Sequence, residues 1–467
     1  MPINSFLYPA KHVPVAHEVA NSCRFDDGSS DSMTRDNGTP TNQKKCSISL
    51  WFKRTEPGLN KYLIVGFDDE SNRTLLQFSS DQLLFQNQTG GSNNTIIKSN
   101  AVFRDPSTWY HFCVIVDTTQ GTDTNRVKMY VNGSQVTSLA SSTYPSQDTV
   151  MELTDAANSI LINQKGDNSD YNSGYYSEVV VLDGTAASIG DFGEFDEDSP
   201  TIWKPKDVSG LTFGTNGFYL DFKDSSALGN DANGGTDFTV SNLTAIDQTT
   251  DTCTNNFCTV NSLDNYHQQS TFSEGNTKIT FKGPTSVYAY NTGTFGVANG
   301  KWYWETKATS AGNHNVYGIS GRYVIAYNKG LGVNTDEYGY YNYNGNYTNA
   351  SSDGSYAENS FSGGNVTWTT NDIIGIALDL DSGTNTVKFY KNNALIGTVN
   401  IIAPSSGFYY PAWNQFDNQT EACQPNFGNP SYSLSSAQSD ANGYGSFEFA
   451  PPSGYYALCS KNLAEYG

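Results

Sequence analysis

No apolar run in the 467-residue sequence is longer than a few residues. No segment approaches the ~20 residues that a membrane-crossing helix requires, so membrane insertion is not expected. Cations are scarce: 26 Lys and Arg stand against 47 Asp and Glu, a formal charge of −21. Such a surface repels phosphate backbones and no basic cluster relieves it locally, which excludes nucleic acid as a partner. The seven cysteines are few and odd in number, so disulfides do not organise the fold. Cys23, Cys46, Cys113, Cys423 and Cys459 lie far apart and read as buried small hydrophobes. Cys253 and Cys258 are close enough to close a small disulfide loop, but a zinc site lacks its second ligand pair. The five histidines form no HExxH, and there is no Gly-x-Ser-x-Gly elbow. Zinc-protease and α/β-hydrolase chemistry therefore lack their parts. The start, Met1 to Pro9, has no basic segment, long apolar core or small-residue cleavage site, so export by an ordinary signal peptide is not expected.

Helical periodicity is nearly absent as well. In its place short alternating runs stand between clusters of Gly, Asn, Asp and Ser, which is the pattern of antiparallel strands. Val127, Met129 and Val131 share one face of a strand, Lys128 and Tyr130 take the other, and Asn132-Gly133 supplies the turn. Residues 386–393 read the same way, with Val387 and Phe389 inward. Further strands are expected over 48–52, 62–66, 109–116, 178–182, 218–222, 301–305, 373–380 and 409–413. The two related hairpins each follow a tryptophan, Trp109 and Trp368, at nearly the same interval, which predicts two sandwich modules of related plan. The expected division is an attachment segment and first strand over 1–40, a sandwich over 41–225, a polar linker over 226–262 and a second sandwich over 263–467. Phe6, Leu7 and Tyr8 read as an extra N-terminal anchor.

Three ordered strings in the first half carry a family likeness: Cys46-Ser-Ile-Ser-Leu-Trp-Phe-Lys-Arg54, Trp109-Tyr-His111 and Val127-Lys-Met-Tyr-Val-Asn-Gly133. They resemble the laminin-G/concanavalin-like family. In the second half, Gly300-Lys-Trp-Tyr-Trp-Glu305, residues 371–379, Val387-Lys-Phe-Tyr-Lys-Asn392, Tyr410-Pro-Ala412, Asn426-Phe-Gly428 and residues 452–458 resemble a SPRY domain. The resemblance implies an all-β fold of two concanavalin-like antiparallel jelly-roll sandwiches in tandem. The combination also looks like virion structural proteins of marine tailed bacteriophages. That likeness lies in the start Met1 to Leu7, in Glu178-Val-Val-Val-Leu-Asp-Gly-Thr185, in the segments 192–196 and 203–206, and in the ending 458–463.

Several residue groups are candidates for function. Tyr338, Tyr340, Tyr341, Tyr343 and Tyr347 are interleaved with Gly and Asn in a loop-like stretch suited to sugars, peptides or a neighbouring subunit. Asp68 and Asp69 with Glu70, and Asp167 with Asp170, are oxygen clusters of the type that binds calcium, as laminin-G-like modules often do. Their bland reading is acidic solvated loops, and no other cofactor is expected. Asp379 and Asp381 have the i, i+2 spacing that a glycosidase pair needs, yet they enter a Ser-Gly turn where acids are common. His111, between Tyr110 and Phe112 on a strand, reads as structural, and Tyr409, Tyr410 and Trp413 read as core.

The resulting expectation is a non-enzymatic protein of a phage exterior, a tail fibre or spike or a head fibre or decoration subunit. It would be assembled in the cytoplasm of the bacterial host with other virion proteins, as a homo-oligomer, and would adhere to a host-surface glycan or protein. The alternatives are a carbohydrate-active enzyme and a cellular adhesin on the same fold.

Overall fold

A computed structural model of the chain describes residues 17–467 except 59, 283–286, 323–324, 326–327, 351–356 and 417–419. The Phe6-Leu7-Tyr8 anchor lies outside the described residues. The chain separates into two compact units, with the boundary between Thr254 and Asn255.

In the first unit two antiparallel sheets face each other. One runs Ser134–Gln135, Val127–Val131, Trp109–Asp117, Lys45–Arg54, Gly174–Asp183, Ser22–Phe25, Gln248–Thr249, with Phe218–Leu220 also paired to Gly174–Asp183. The other runs Leu139–Thr143, Ser92–Val102, Gln82–Thr89, Asn72–Ser79, Lys61–Asp69, Ser159–Ile162, Ser32–Asp36, Thr239–Ser241. Alternation decides what enters the core: Ile48, Leu50 and Phe52 of one strand meet Phe112, Val114 and Val116 of the next and Met129 beyond it. The Asn132-Gly133 turn forms as expected, with φ of 46° and 75°. Glycine is required there twice over, because a Cβ on Gly133 would lie 2.2 Å from the Trp203 ring.

The expected linker 226–262 is corrected by this unit. Thr239–Ser241 and Gln248–Thr249 each add a strand to one of its two sheets, and Leu228, Phe238 and Leu243 enter its core. The polar residues that resemble a solvated tether are partners of buried cations. Lys53 Nζ lies 2.8 Å from Asp251 Oδ2 with both side chains fully buried. Trp109 Nε1 donates to Asp251 Oδ1 at 3.0 Å. Arg35 lies against the rings of Phe218 and Phe238, at 4.9 and 4.8 Å, and 3.5 Å from Asp231. The sandwich also begins before residue 41, since Ser22–Phe25 and Ser32–Asp36 belong to it.

The second unit has the same two-layer plan. One sheet runs Ser270–Ser273, Lys278–Phe281, Glu421–Asn426, Lys301–Ser310, Ile373–Asp379, Thr386–Lys391, Ala394–Asn400. The other runs Ala289–Thr292, Tyr410–Gln415, Asn315–Ser320, Glu337–Tyr341, Tyr347–Thr348, Glu358–Asn359. Trp302, Trp304, Tyr317, Tyr340, Phe389 and Trp413 fill the space between them. Ser460–Tyr466 forms a short helix at the chain's end. The equivalence drawn between Trp109 and Trp368 does not hold. Trp109 packs with Trp51, Tyr175 and Trp203 in a cluster separate from the main core, whereas Trp368 lies tilted against Tyr317 inside the core of its own unit. All seven cysteines are free thiols and all but Cys253 are buried, so Cys253 and Cys258 close no disulfide loop.

Candidate functional site

The tyrosine-rich stretch is split by strand alternation rather than presented as a loop. Tyr338 and Tyr340 point inward from Glu337–Tyr341 and are core residues, 3% and 0% exposed. The Tyr340 hydroxyl donates to the Val366 carbonyl, and that of Tyr338 accepts from Ile402 N–H at 3.2 Å. Tyr347 packs on the same core beside Phe361. These three are therefore withdrawn as ligand contacts. Tyr341 faces the other way, and Tyr343, at the turn beyond the strand, is 59% exposed.

Around these two the sheet register assembles a site. Ala289 pairs with Gln415, Gln415 with Asn315, and Val316 with Tyr341. One step beyond Ala289, Gln415 and Asn315 stand Tyr288, Phe416 and His314, and Tyr343 lies two residues beyond Tyr341. The four rings form a row across the sheet's end, with centroid separations of 4.3 Å from Tyr288 to Phe416, 6.4 Å from Phe416 to His314 and 5.5 Å from His314 to Tyr343. Behind the row is a pocket of about 50 Å³ lined by Tyr288, His314, Val316, Leu331, Tyr341, Asn414 and Phe416. Gly330 completes its wall, where a Cβ would lie 2.6 Å from the Tyr288 ring. His314 Nδ1 and the Tyr341 hydroxyl are hydrogen-bonded at 2.5 Å, and Asn414 Oδ1 accepts from Leu331 N–H at 3.3 Å. Burial raises the Tyr288 hydroxyl above its ordinary pKa. Among the described residues the lining has aromatic faces, an imidazole and an amide and no carboxylate or thiol. The cleft is too small to enclose a sugar ring, and what the row offers a ligand is an edge of aromatic faces with polar atoms beside them.

The other candidates are absorbed by structure. Asp379 Oδ1 accepts from the backbone N–H of Asp381 and Ser382, and Oδ2 accepts from Ser382 Oγ at 2.8 Å and Lys301 Nζ at 3.0 Å. Burial alone would raise this carboxyl, but those bonds outweigh it and hold it below the usual range, the reverse of what a general acid needs. Asp381 Oδ1 accepts from Gly300 N–H, so the pair ties a turn. Asp69 Oδ1 caps the turn at Ser71 and Asn72. Lys165 Nζ lies 3.5 Å from Glu70 and 3.2 Å from Asp167, so the fold gathers the two acidic clusters around an ammonium group of its own. Asp68 and Asp170 are exposed. Among the described residues no three His, Cys, Asp or Glu side chains converge as a metal site. His111 is fully buried between Ser49 Oγ, 2.8 Å from Nε2, and Trp203 Nε1, which donates to Nδ1 at 3.1 Å. Burial pushes its pKa down to about 3.

Tyr288, His314 and Phe416 were not foreseen. Each flanks a different strand, and only the strand order brings them together.

Residues 27–187 match the family profile of the concanavalin A-like lectin/glucanases superfamily, and residues 301–430 match that of the SPRY domain. The chain thus carries a laminin-G-type concanavalin-like domain followed by a SPRY domain. No curated protein matches it. Similar solved structures include a human SPRY domain, at 15% identity over 34% of this chain and 94% of that one, with a TM-score of 0.27. The SPRY domain of human HERC1 is 17% identical over 32% and 87%, at 0.26. A native heptameric SAP-like pentraxin from Limulus polyphemus is 16% identical over 37% and 81%, at 0.28.

Proposed function

We propose that this chain is a non-enzymatic binding protein of a phage exterior, whose SPRY domain grips a host-surface glycan or protein. The observation that carries the binding role is the aromatic row Tyr288, Phe416, His314 and Tyr343, with its open end at the exposed Tyr343. Aromatic rings with polar edges bind at low entropic cost, since each has only two side-chain torsions to fix. The phage setting is supported by the likeness of the start Met1 to Leu7 and of residues 178–185, 192–196, 203–206 and 458–463 to marine phage virion proteins. In that setting the chain is a tail fibre or spike, or a head fibre or decoration subunit. It assembles with other virion proteins, and with copies of itself, in the bacterial cytoplasm. The charge of −21 keeps many copies soluble before assembly. Immunogold electron microscopy of purified particles with an antibody to the SPRY domain tests the setting. Label at tail tips or over heads is expected, and unlabelled particles would contradict it.

A further inference from the structure

A second site lies on the first sandwich, away from the aromatic row. On the outward face of strands Trp109–Asp117 and Val127–Val131, Ile115 stands opposite Lys128 and Cys113 opposite Tyr130. The segment after Gly174–Asp183 crosses beside them and is pinned by Ser47, whose hydroxyl donates to Thr185 O and accepts from Ala187 N–H at 2.9 Å. Between sheet and segment is a groove of about 410 Å³, within the ~300–1,000 Å³ range of small-ligand clefts.

The chemistry of its lining is unbalanced. Ile115, Ala187, Ile189 and Tyr130 give an apolar floor and wall. The one carboxylate, Asp117, is already engaged, accepting from Thr119 N–H and Oγ1, Gln120 Nε2 and Lys45 Nζ. Burial would raise it, but these donors hold it below the usual carboxylate range. In contrast, the Lys128 ammonium, the Tyr130 hydroxyl and the Asn125 amide make no bond to another described side chain. The groove therefore offers donors in surplus beside an apolar surface and no free anion, which fits an acceptor-rich ring carrying a negative charge. We infer that this groove binds a hexuronic acid, a sugar whose ring lies on Tyr130 and Ile115 and whose carboxylate pairs with Lys128.

The test is calorimetric titration of the full-length chain with D-glucuronate, D-glucose and acetate in parallel. Glucuronate should bind about tenfold more tightly than either of the others, one charge-assisted contact being worth that factor. Lys128→Met should remove the preference while Tyr343→Ala, in the other domain, leaves it intact. Asn125→Ala, at an exposed position, should weaken glucuronate binding and serves in place of Lys128→Met should that variant not fold. Equal binding of glucose would overturn the charged ligand, and equal binding of acetate would overturn the sugar. No glucuronate binding, or binding indifferent to Lys128→Met and Asn125→Ala, would overturn the site. None of these outcomes bears on the aromatic row.

Discussion

Two buried titratable residues make opposite demands on pH. His111 ordinarily titrates near 6.5 and is pushed down to about 3 by burial, so the folded first sandwich holds it neutral. Between pH 3 and 6.5 the unfolded chain binds the extra proton, and stability present above pH 6.5 is lost as pH falls. The full effect is on the order of 5 kcal/mol. Glu305, ordinarily near 4.5, is raised to about 7 by burial, against the hydrogen bonds it accepts from Tyr303 and from the N–H groups of Glu448 and Phe449. Here the folded state holds the proton longer than the unfolded one. Stability of the SPRY domain falls as pH rises from 4.5 to 7, by on the order of 3 kcal/mol, and is flat above. Denaturant titrations across this range should show both slopes, with His111→Asn removing the first and Glu305→Gln the second. Slopes unchanged in the variants would place the linkage elsewhere. At this scale the sequence was a partial guide. The structural role of His111 and the core positions of Tyr409 and Trp413 were legible from strand context, because neighbours i±1 and i±2 set a strand residue's face. The tyrosines 338 and 340 were misjudged because Gly and Asn around them mimic a loop, although their i, i+2 spacing fits a single inward face.

At the scale of elements, the strands expected over 48–52, 109–116 and 301–305 formed and run longer than expected, and that expected over 373–380 formed one residue shorter. The segment 226–254 was misjudged because its polarity resembles that of a solvated tether. Its Asp231 and Asp251 answer Arg35 and Lys53, some 200 residues away, and no local pattern reveals such a pairing. This has a measurable consequence. Removing 226–254 takes a carboxylate partner from three buried cations, Arg24, Arg35 and Lys53, at about 3–5 kcal/mol each, and uncovers Leu228, Phe238 and Leu243, at about 2 kcal/mol each. The loss matches or exceeds the 5–15 kcal/mol that a domain has in total. A fragment of residues 17–254 should therefore fold cooperatively, and one of 17–225 should not. Cooperative unfolding of the shorter fragment would show that the segment is a tether after all.

For the whole molecule, the order of the two domain types was legible because each carries several strand motifs in sequence, and strand motifs survive as long as the sandwich must bury them. The aromatic row was not, because it comes from residues 288, 314, 343 and 416, assembled only when the sheet order is known. The central claim is that this row binds. It is tested most directly by presenting wild-type chain and the Tyr343→Ala and His314→Ala variants to the same array of bacterial surface glycans and peptides. Tyr343 is exposed and His314 half-buried, so both variants should keep the fold. The wild type should hold a discrete set of ligands that both variants lose. A wild type that captures nothing, or variants that keep the same ligands, would contradict it.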